Sequence, residues 1–158
     1  MRGFVKGGIF AAALLGANVV SADVASGIKA LEAGDIQGSA QIFQDAFNDG
    51  DADGAFYIGR LFEMGLGTDQ DLTRAAQLYS ASADKGSALA QSRSGLMDLN
   101  GETVLHDFTR AAELICASAE GGDANGQFNC GLLYSEGKGV AQDKAKAAEL
   151  WDAASEQG

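Results

Sequence analysis

Apolar and small residues in this chain recur three and four apart, not two. Phe56, Gly59 and Phe62 are spaced by three, and Leu72, Ala75 and Leu78, with Tyr79 beside them, keep the same spacing. That is the period of a helix with one covered face, so the pattern predicts helices over about 52–64 and 71–85. The whole pattern then returns every 36 residues: Ala52, Ala88, Ala124; Gly59, Gly95, Gly131; Gly65, Gly101, Gly137; Asp71, Asp107, Asp143; Gly86, Gly122, Gly158. Paired alanines recur as well, at Ala75-Ala76, Ala111-Ala112 and Ala147-Ala148, each after a base (Arg74, Arg110, Lys146). A fixed period of this length marks a stacked array in which no unit can bury its apolar face alone. Asp35, Ala40, Ile42, Phe43 and Gly50 fit the same frame, so a half repeat precedes the first full one.

Local residues agree with the pattern. Asp51, Ser87 and Asp123 stand where each first helix needs an N-cap, and Asp35, Asp71, Asp107 and Asp143 where each second helix does. Glycines at 65, 101 and 137 and at 50, 86, 122 and 158 fall at helix ends. Gly59, Gly95 and Gly131 lie inside helices, at a cost of up to about 1 kcal/mol each relative to Ala. Lacking a Cβ, they let the second helix and its alanine pair come close. The fold class is therefore all-α, a superhelical solenoid of 36-residue helix-turn-helix repeats. Its parts are a leader over 1–22, an N-terminal half repeat over 23–51, and full repeats over 52–87, 88–123 (divergent) and 124–158.

The run A-x-x-x-F-x-x-G-x-x-F-x-x-G-x-G-x-x-x-D-x-x-R-A-A-x-x-Y, from Ala52 to Tyr79, resembles the Sel-one-like (Sel1) repeat, a longer relative of the tetratricopeptide repeat. The copy running from Ala124 through Phe128, Gly131, Tyr134, Asp143 and Trp151 fits equally well. The middle copy departs from the pattern: Ser92 and Asp98 replace the aromatics at 56/128 and 62/134, and Thr103 replaces a glycine. A carboxylate buried unpaired is costly, so Asp98 is expected either to face water or to meet a base such as Arg93 or Arg60. The resemblance implies a non-enzymatic scaffold or adaptor that holds another protein, in an envelope or signalling assembly or in an exported regulator. The alternative is a small cell-wall-related hydrolase or β-lactamase-like ligand binder that uses the concave groove.

Composition adds a compartment. Arg2 and Lys6, the apolar stretch from Gly7 to Val20 and the small residues Val20-Ser21-Ala22 read as a cleavable signal peptide. The mature chain is then expected to start at Asp23 and to be periplasmic or secreted. Losing the leader removes two bases and no acids, so the net charge moves from −11 to −13. Such a charge disfavours nucleic acid and anionic lipid and favours a cationic or neutral partner.

Catalytic chemistry is scarce. His106, the single histidine, sits in a turn beside Asp107 with no second ligand or nucleophile nearby in sequence. Asp49, Asp51 and Asp53 lack the remaining oxygens of a calcium loop and read as helix caps. No metal, cofactor or catalytic residue is expected. Cys116 and Cys130 flank a turn centred near Asp123, at matching heights on antiparallel helices. They form either a disulfide in an oxidising compartment or a pair of packed thiols.

In proteins of the resembling kind the inner face is lined by the first helix of each pair. Spacing from Phe56, Gly59 and Phe62 then leaves three positions per copy turned toward a partner: Tyr57, Arg60 and Met64; Arg93, Leu96 and Asn100; Asn129, Leu132 and Glu136. The last helix, with Ala147, Leu150, Trp151 and Ala154, presents a broad apolar arc and is expected to dock, on a second copy or on the partner.

Overall fold

The computed structural model describes residues 22–101 and 107–158. Its elements are α1 (Ala22–Glu32), α2 (Ile36–Asn48), α3 (Ala52–Met64), α4 (Leu72–Asp84), α5 (Ala88–Asn100), α6 (Phe108–Glu120), α7 (Ala124–Glu136) and α8 (Lys144–Ser155). The described residues contain no strand. Each helix packs on its neighbours in sequence; in addition α3 touches α5 and α5 touches α7. The odd-numbered helices therefore line the inner side of the solenoid. No helix among the described residues is long and apolar enough to cross a membrane.

The helix starts follow from their caps. Side chains of Asp35, Asp51, Asp71, Ser87, Asp107, Asp123 and Asp143 each accept a backbone N–H from the first turn. Each such cap stabilises its helix by about 1 kcal/mol. Gly65, Gly101 and Gly137 close α3, α5 and α7 in the left-handed conformation, which glycine enters without steric cost.

Pairing within a repeat depends on Gly59, Gly95 and Gly131. A Cβ at Gly59 would stand 2.7 Å from the Tyr79 ring and 3.3 Å from the Ala75 carbonyl oxygen. At Gly95 it would meet Ile115 at 2.5 Å and the Ala111 carbonyl at 3.0 Å. At Gly131 it would meet the Trp151 ring at 2.6 Å and the Ala147 carbonyl at 3.1 Å. Each interior glycine thus admits both an alanine backbone and the large side chain four residues beyond it.

Neighbouring repeats are joined by apolar clusters and a few polar ties. Val24, Phe43, Ala46 and Leu61 form the cluster at the N-terminal end; Phe56, Ala75, Tyr79, Ala83, Ala90 and Met97 fill the middle; Ala112, Ile115, Ala119, Cys130 and Leu133 close the C-terminal side. The Ser82 hydroxyl donates to the Ala52 carbonyl at 2.6 Å, fastening α4 to the start of α3 in its own repeat, and the Ser118 hydroxyl donates to Asp123 at 3.2 Å, fastening α6 to the cap of α7. Cys116 on α6 is bonded to Cys130 on α7, so the last junction is also covalent.

Asp98 is buried and meets a base, which is Arg110, whose Nε lies 3.2 Å from Oδ2. Arg110 stands one repeat after Arg74, which lies over the Phe62 ring, so the base already placed above the aromatic position pairs with the acid that replaces it. Leu150 is half-buried and packs against the C-terminal cluster. His106, Thr103 and the leader before Ala22 lie outside the described residues.

Candidate functional site

Of the nine residues expected to face a partner, Tyr57, Arg60, Met64, Arg93, Leu96 and Asn129 line one groove of about 430 Å³. Leu31, Phe56, Leu89, Ser92, Asp123 and Asn125 complete its wall. Asn100, Leu132 and Glu136 do not line it. The missing three share a cause. From α3 the groove takes Phe56, Tyr57, Arg60 and Met64; from α5 it takes Leu89, Ser92, Arg93 and Leu96; from α7 only Asn125 and Asn129, with the cap Asp123. Leu89 and Asn125 correspond to Asp53 in the repeat frame, so the lining slides toward the N-terminal end of each successive helix. Successive repeats are rotated in a superhelix, and the groove crosses the helices obliquely.

Tyr57 lines the groove and is half-buried. Its ring stacks on Phe43 at 5.0 Å and meets Phe56 edge-on at 5.2 Å. The preceding helix α2 covers the face that the pairing of α3 with α4 leaves open. Tyr57 therefore helps to build the groove wall, and burial, with Asp53 nearby, raises its phenol above the ordinary range.

Two groove residues, Arg60 and Arg93, meet Tyr79 at the carboxylate of Glu63. Arg93 Nε donates to Glu63 Oε1 at 3.0 Å, and Arg60 Nε stands 3.7 Å from Glu63 Oε2. From beneath, the buried Tyr79 hydroxyl donates to Glu63 Oε2. Burial raises the Glu63 pKa, but the Tyr79 hydrogen bond and the two guanidinium groups outweigh it and hold the carboxyl below its ordinary value. The same arrangement, with burial first and Glu63 second, pushes the Tyr79 phenol far up. Glu63 carried no signal in the repeat pattern, because its partner Arg93 comes from the next repeat, 30 residues on.

The acids at the first junction act as structural ties. Asp51 caps α3, Asp49 ends α2, and Asp53 accepts from the hydroxyl of Ser87, the cap of α5. Burial raises the Asp53 pKa, against the Ser87 hydrogen bond.

At the C-terminal end, Phe128 is 55% exposed and Trp151 37%, whereas the matching Phe56 and Tyr79 are 7% and 0% exposed. The Trp151 indole N–H donates to the Phe128 carbonyl at 3.1 Å, fixing the ring at the edge of this face.

Comparison with known proteins agrees with the repeat frame. The Sel1 repeat model matches residues 52–87, 88–123 and 124–158. A solved Sel1 repeat protein from Oxalobacter formigenes superimposes with a TM-score of 0.74 at 28% identity, over 86% of this chain and 57% of that one. The antigen c5321 of uropathogenic Escherichia coli strains, described as a protective antigen with an SLR fold, superimposes with a TM-score of 0.67 at 32% identity. That match covers 76% of this chain and 26% of the antigen. The chain thus spans little more than half of the first solved structure and about a quarter of the second. A search of curated proteins returns no match.

Proposed function

Because the chain belongs to the Sel1 repeat family, we propose that it is an exported, non-enzymatic scaffold that holds another protein along the groove between α3, α5 and α7. Repeats of this family generally mediate protein–protein contacts. The observation that carries the reading is convergence. Positions that differ from copy to copy, such as Tyr57, Arg93 and Asn129, meet in one groove, while the matching interior glycines and alanines stay the same. The lining combines Phe56, Tyr57 and Met64 with Arg60 and Arg93, side-chain types that are enriched at protein interfaces. A hydrolase would need a nucleophile held beside a base; among the groove residues Ser92 is the one aliphatic hydroxyl, and none is a histidine.

Export rests on the basic and apolar leader and on the small residues before Asp23. Cleavage after Ala22 would leave Val24, the first buried residue of the array, in place. In the periplasm or outside the cell such a scaffold would serve to assemble or regulate an envelope or signalling complex. A photo-cross-linking residue at Leu96 should yield a partner adduct in intact cells, and one at Glu113 on α6 should not. The reverse result would move the partner to the outer face. Mature protein starting at Met1 in the cytosol would overturn the exported reading.

The exposed Phe128 and Trp151 favour a second contact, docking of the C-terminal repeat on another copy. Sedimentation equilibrium should then show a dimer that Phe128→Asp converts to a monomer. A wild-type monomer at high concentration would remove this reading and leave the groove untouched.

A further inference from the structure

The Cys116–Cys130 bond ties α6 to α7, and its two sulfurs differ in access. Cys130 is 2% exposed and sits in the C-terminal cluster with Ile115, Ala119 and Leu133. Cys116 is half-buried and lines two cavities on the side of the even-numbered helices. One, of about 430 Å³, lies between α6 and the turn holding Gly139 and Val140; the other, of about 240 Å³, lies between α6 and α8 and also reaches Cys130. The repeat frame shows the same division. The Cys116 position holds the half-buried Ser80 one repeat earlier and the exposed Asp152 one repeat later. The Cys130 position holds Ser94 one repeat earlier, and its hydroxyl is buried. The groove between α3, α5 and α7 takes no residue from α6 or α8, so chemistry at Cys116 is separate from it.

We propose that Cys116 is a reversible thiol-exchange site, taking a small aliphatic thiol such as cysteamine through the outer cavities. The thiolate of that co-reactant attacks Cys116 Sγ in line with the disulfide. A new sulfur–sulfur bond forms, the Cys116–Cys130 bond breaks, and its electron pair leaves on Cys130 Sγ, which takes a proton from water. The small thiol is thereby oxidised into a mixed disulfide, and Cys130 is reduced to a thiol. Exchange depends on which sulfur a thiolate can reach, and access selects Cys116. Cys130 then serves as the resolving thiol. Its place is kept without the covalent tie, because Ser118 donates to the α7 cap Asp123 and the apolar cluster spans α6 and α7. Once deprotonated, it attacks Cys116 Sγ, closes the native bond and expels the small thiol as its thiolate. The mixed disulfide therefore lasts only while free thiol is in excess, and the site reads the thiol content of its surroundings.

The test treats the oxidised mature protein, without denaturant, with cysteamine at rising concentration and stops the exchange with acid at intervals. Peptides are then mapped without reduction by mass spectrometry. The cysteamine adduct should be at least tenfold more abundant on Cys116 than on Cys130, while circular dichroism shows the helices intact. Removing the thiol by gel filtration should restore the native bond. The single variants Cys130→Ala and Cys116→Ala, treated with cystamine, make the reverse comparison: the Cys116 thiol should form the adduct at least tenfold faster than the Cys130 thiol. Absence of an adduct from Cys116, an adduct of equal or greater abundance on Cys130, equal rates in the two variants, or a bond that opens only where the helical signal is lost would each overturn the proposal. The wild-type map decides alone if either variant fails to fold.

Discussion

Asp98 and Arg110 are joined at 3.2 Å in the two positions where the preceding repeat stacks Arg74 over Phe62 at 4.5 Å. One geometry carries two chemistries. The base stays on the first turn of the second helix, and its partner changes from an aromatic face to a carboxylate. The exchange is unfavourable for Asp98: burial raises its pKa, Arg110 lowers it, and Asp107 raises it again. Asp98→Phe should therefore raise the thermal midpoint, with Arg110 closing over the new ring. Arg110→Ala should lower the stability by about 1 kcal/mol, a modest loss because Arg110 is largely exposed. Because the Asp98 pKa is raised in the folded state, its contribution is fully present below the ordinary value of 3.8 and is lost as the pH rises through the folded value. Asp98→Asn should remove that component from a pH–stability curve.

Glu63 and Tyr79 should shape the two ends of the same curve. The Glu63 pKa is lowered, so its contribution is present above the ordinary 4.5 and is lost as the pH falls through the folded value. The Tyr79 pKa is raised, so the folded state loses ground above the ordinary 10.0, where the unfolded phenol ionises first. Thermal melts from acid to alkaline pH should show Glu63→Gln flattening the acid limb and Tyr79→Phe the alkaline limb. Each substitution should cost about 1–2 kcal/mol at neutral pH. A limb left unchanged by its variant would show that the network does not set it.

The disulfide has a counterpart one repeat earlier. Cys116 and Cys130 correspond to Ser80 on α4 and Ser94 on α5, and the Ser94 hydroxyl is buried without a hydrogen-bond partner. Reduction of the native bond should destabilise by about 3 kcal/mol on the chain-entropy account of its loop. Hydrogen exchange should place the loosening in α6 and α7, since each repeat contacts only its neighbours. The double variant Ser80→Cys, Ser94→Cys should oxidise to a second bridge of the same span and raise the midpoint, with Ser94→Ala alone giving a smaller gain. Two free thiols after air oxidation would show that the junctions are not equivalent.

Alanine at the three interior glycines should give a graded series. Each substitution gains up to about 1 kcal/mol of helix propensity and loses against whatever the new methyl strikes. At Gly95 that is the fully buried Ile115 and a carbonyl at 3.0 Å; at Gly59 it is the Tyr79 ring; at Gly131 it is the exposed Trp151. Midpoints should fall most for Gly95→Ala, less for Gly59→Ala and least for Gly131→Ala. Any other order would mean that the backbone, not the side chain, sets the cost.

The repeat frame was legible because its causes are local. Asp71 caps α4 from within one turn, and the closeness of Gly59 to Ala75 follows from helical spacing inside one repeat. The groove was legible only in part. Tyr57, Arg60 and Met64 were placed from α3 alone, and carrying the same three positions to α7 selected Leu132 and Glu136, which miss the groove. Spacing along one chain segment does not encode the rotation between repeats. Nor does it show that α2 lays Phe43 against Tyr57, a contact that makes Tyr57→Ala a stability variant and leaves Arg60 the cleaner probe of binding. Pairings across a junction, Glu63 with Arg93 and Asp98 with Arg110, needed the assembled array.

The oblique lining also limits what the array can offer. It runs from Leu31 near the end of α1 and Met64, the last residue of α3, to the cap Asp123 and the first turns of α7. A further repeat, shifted by the same step, would have no helix left to present. The capacity of this groove is thus fixed by the 13-residue length of its helices, and lengthening the helices would extend it where duplicating the repeat would not.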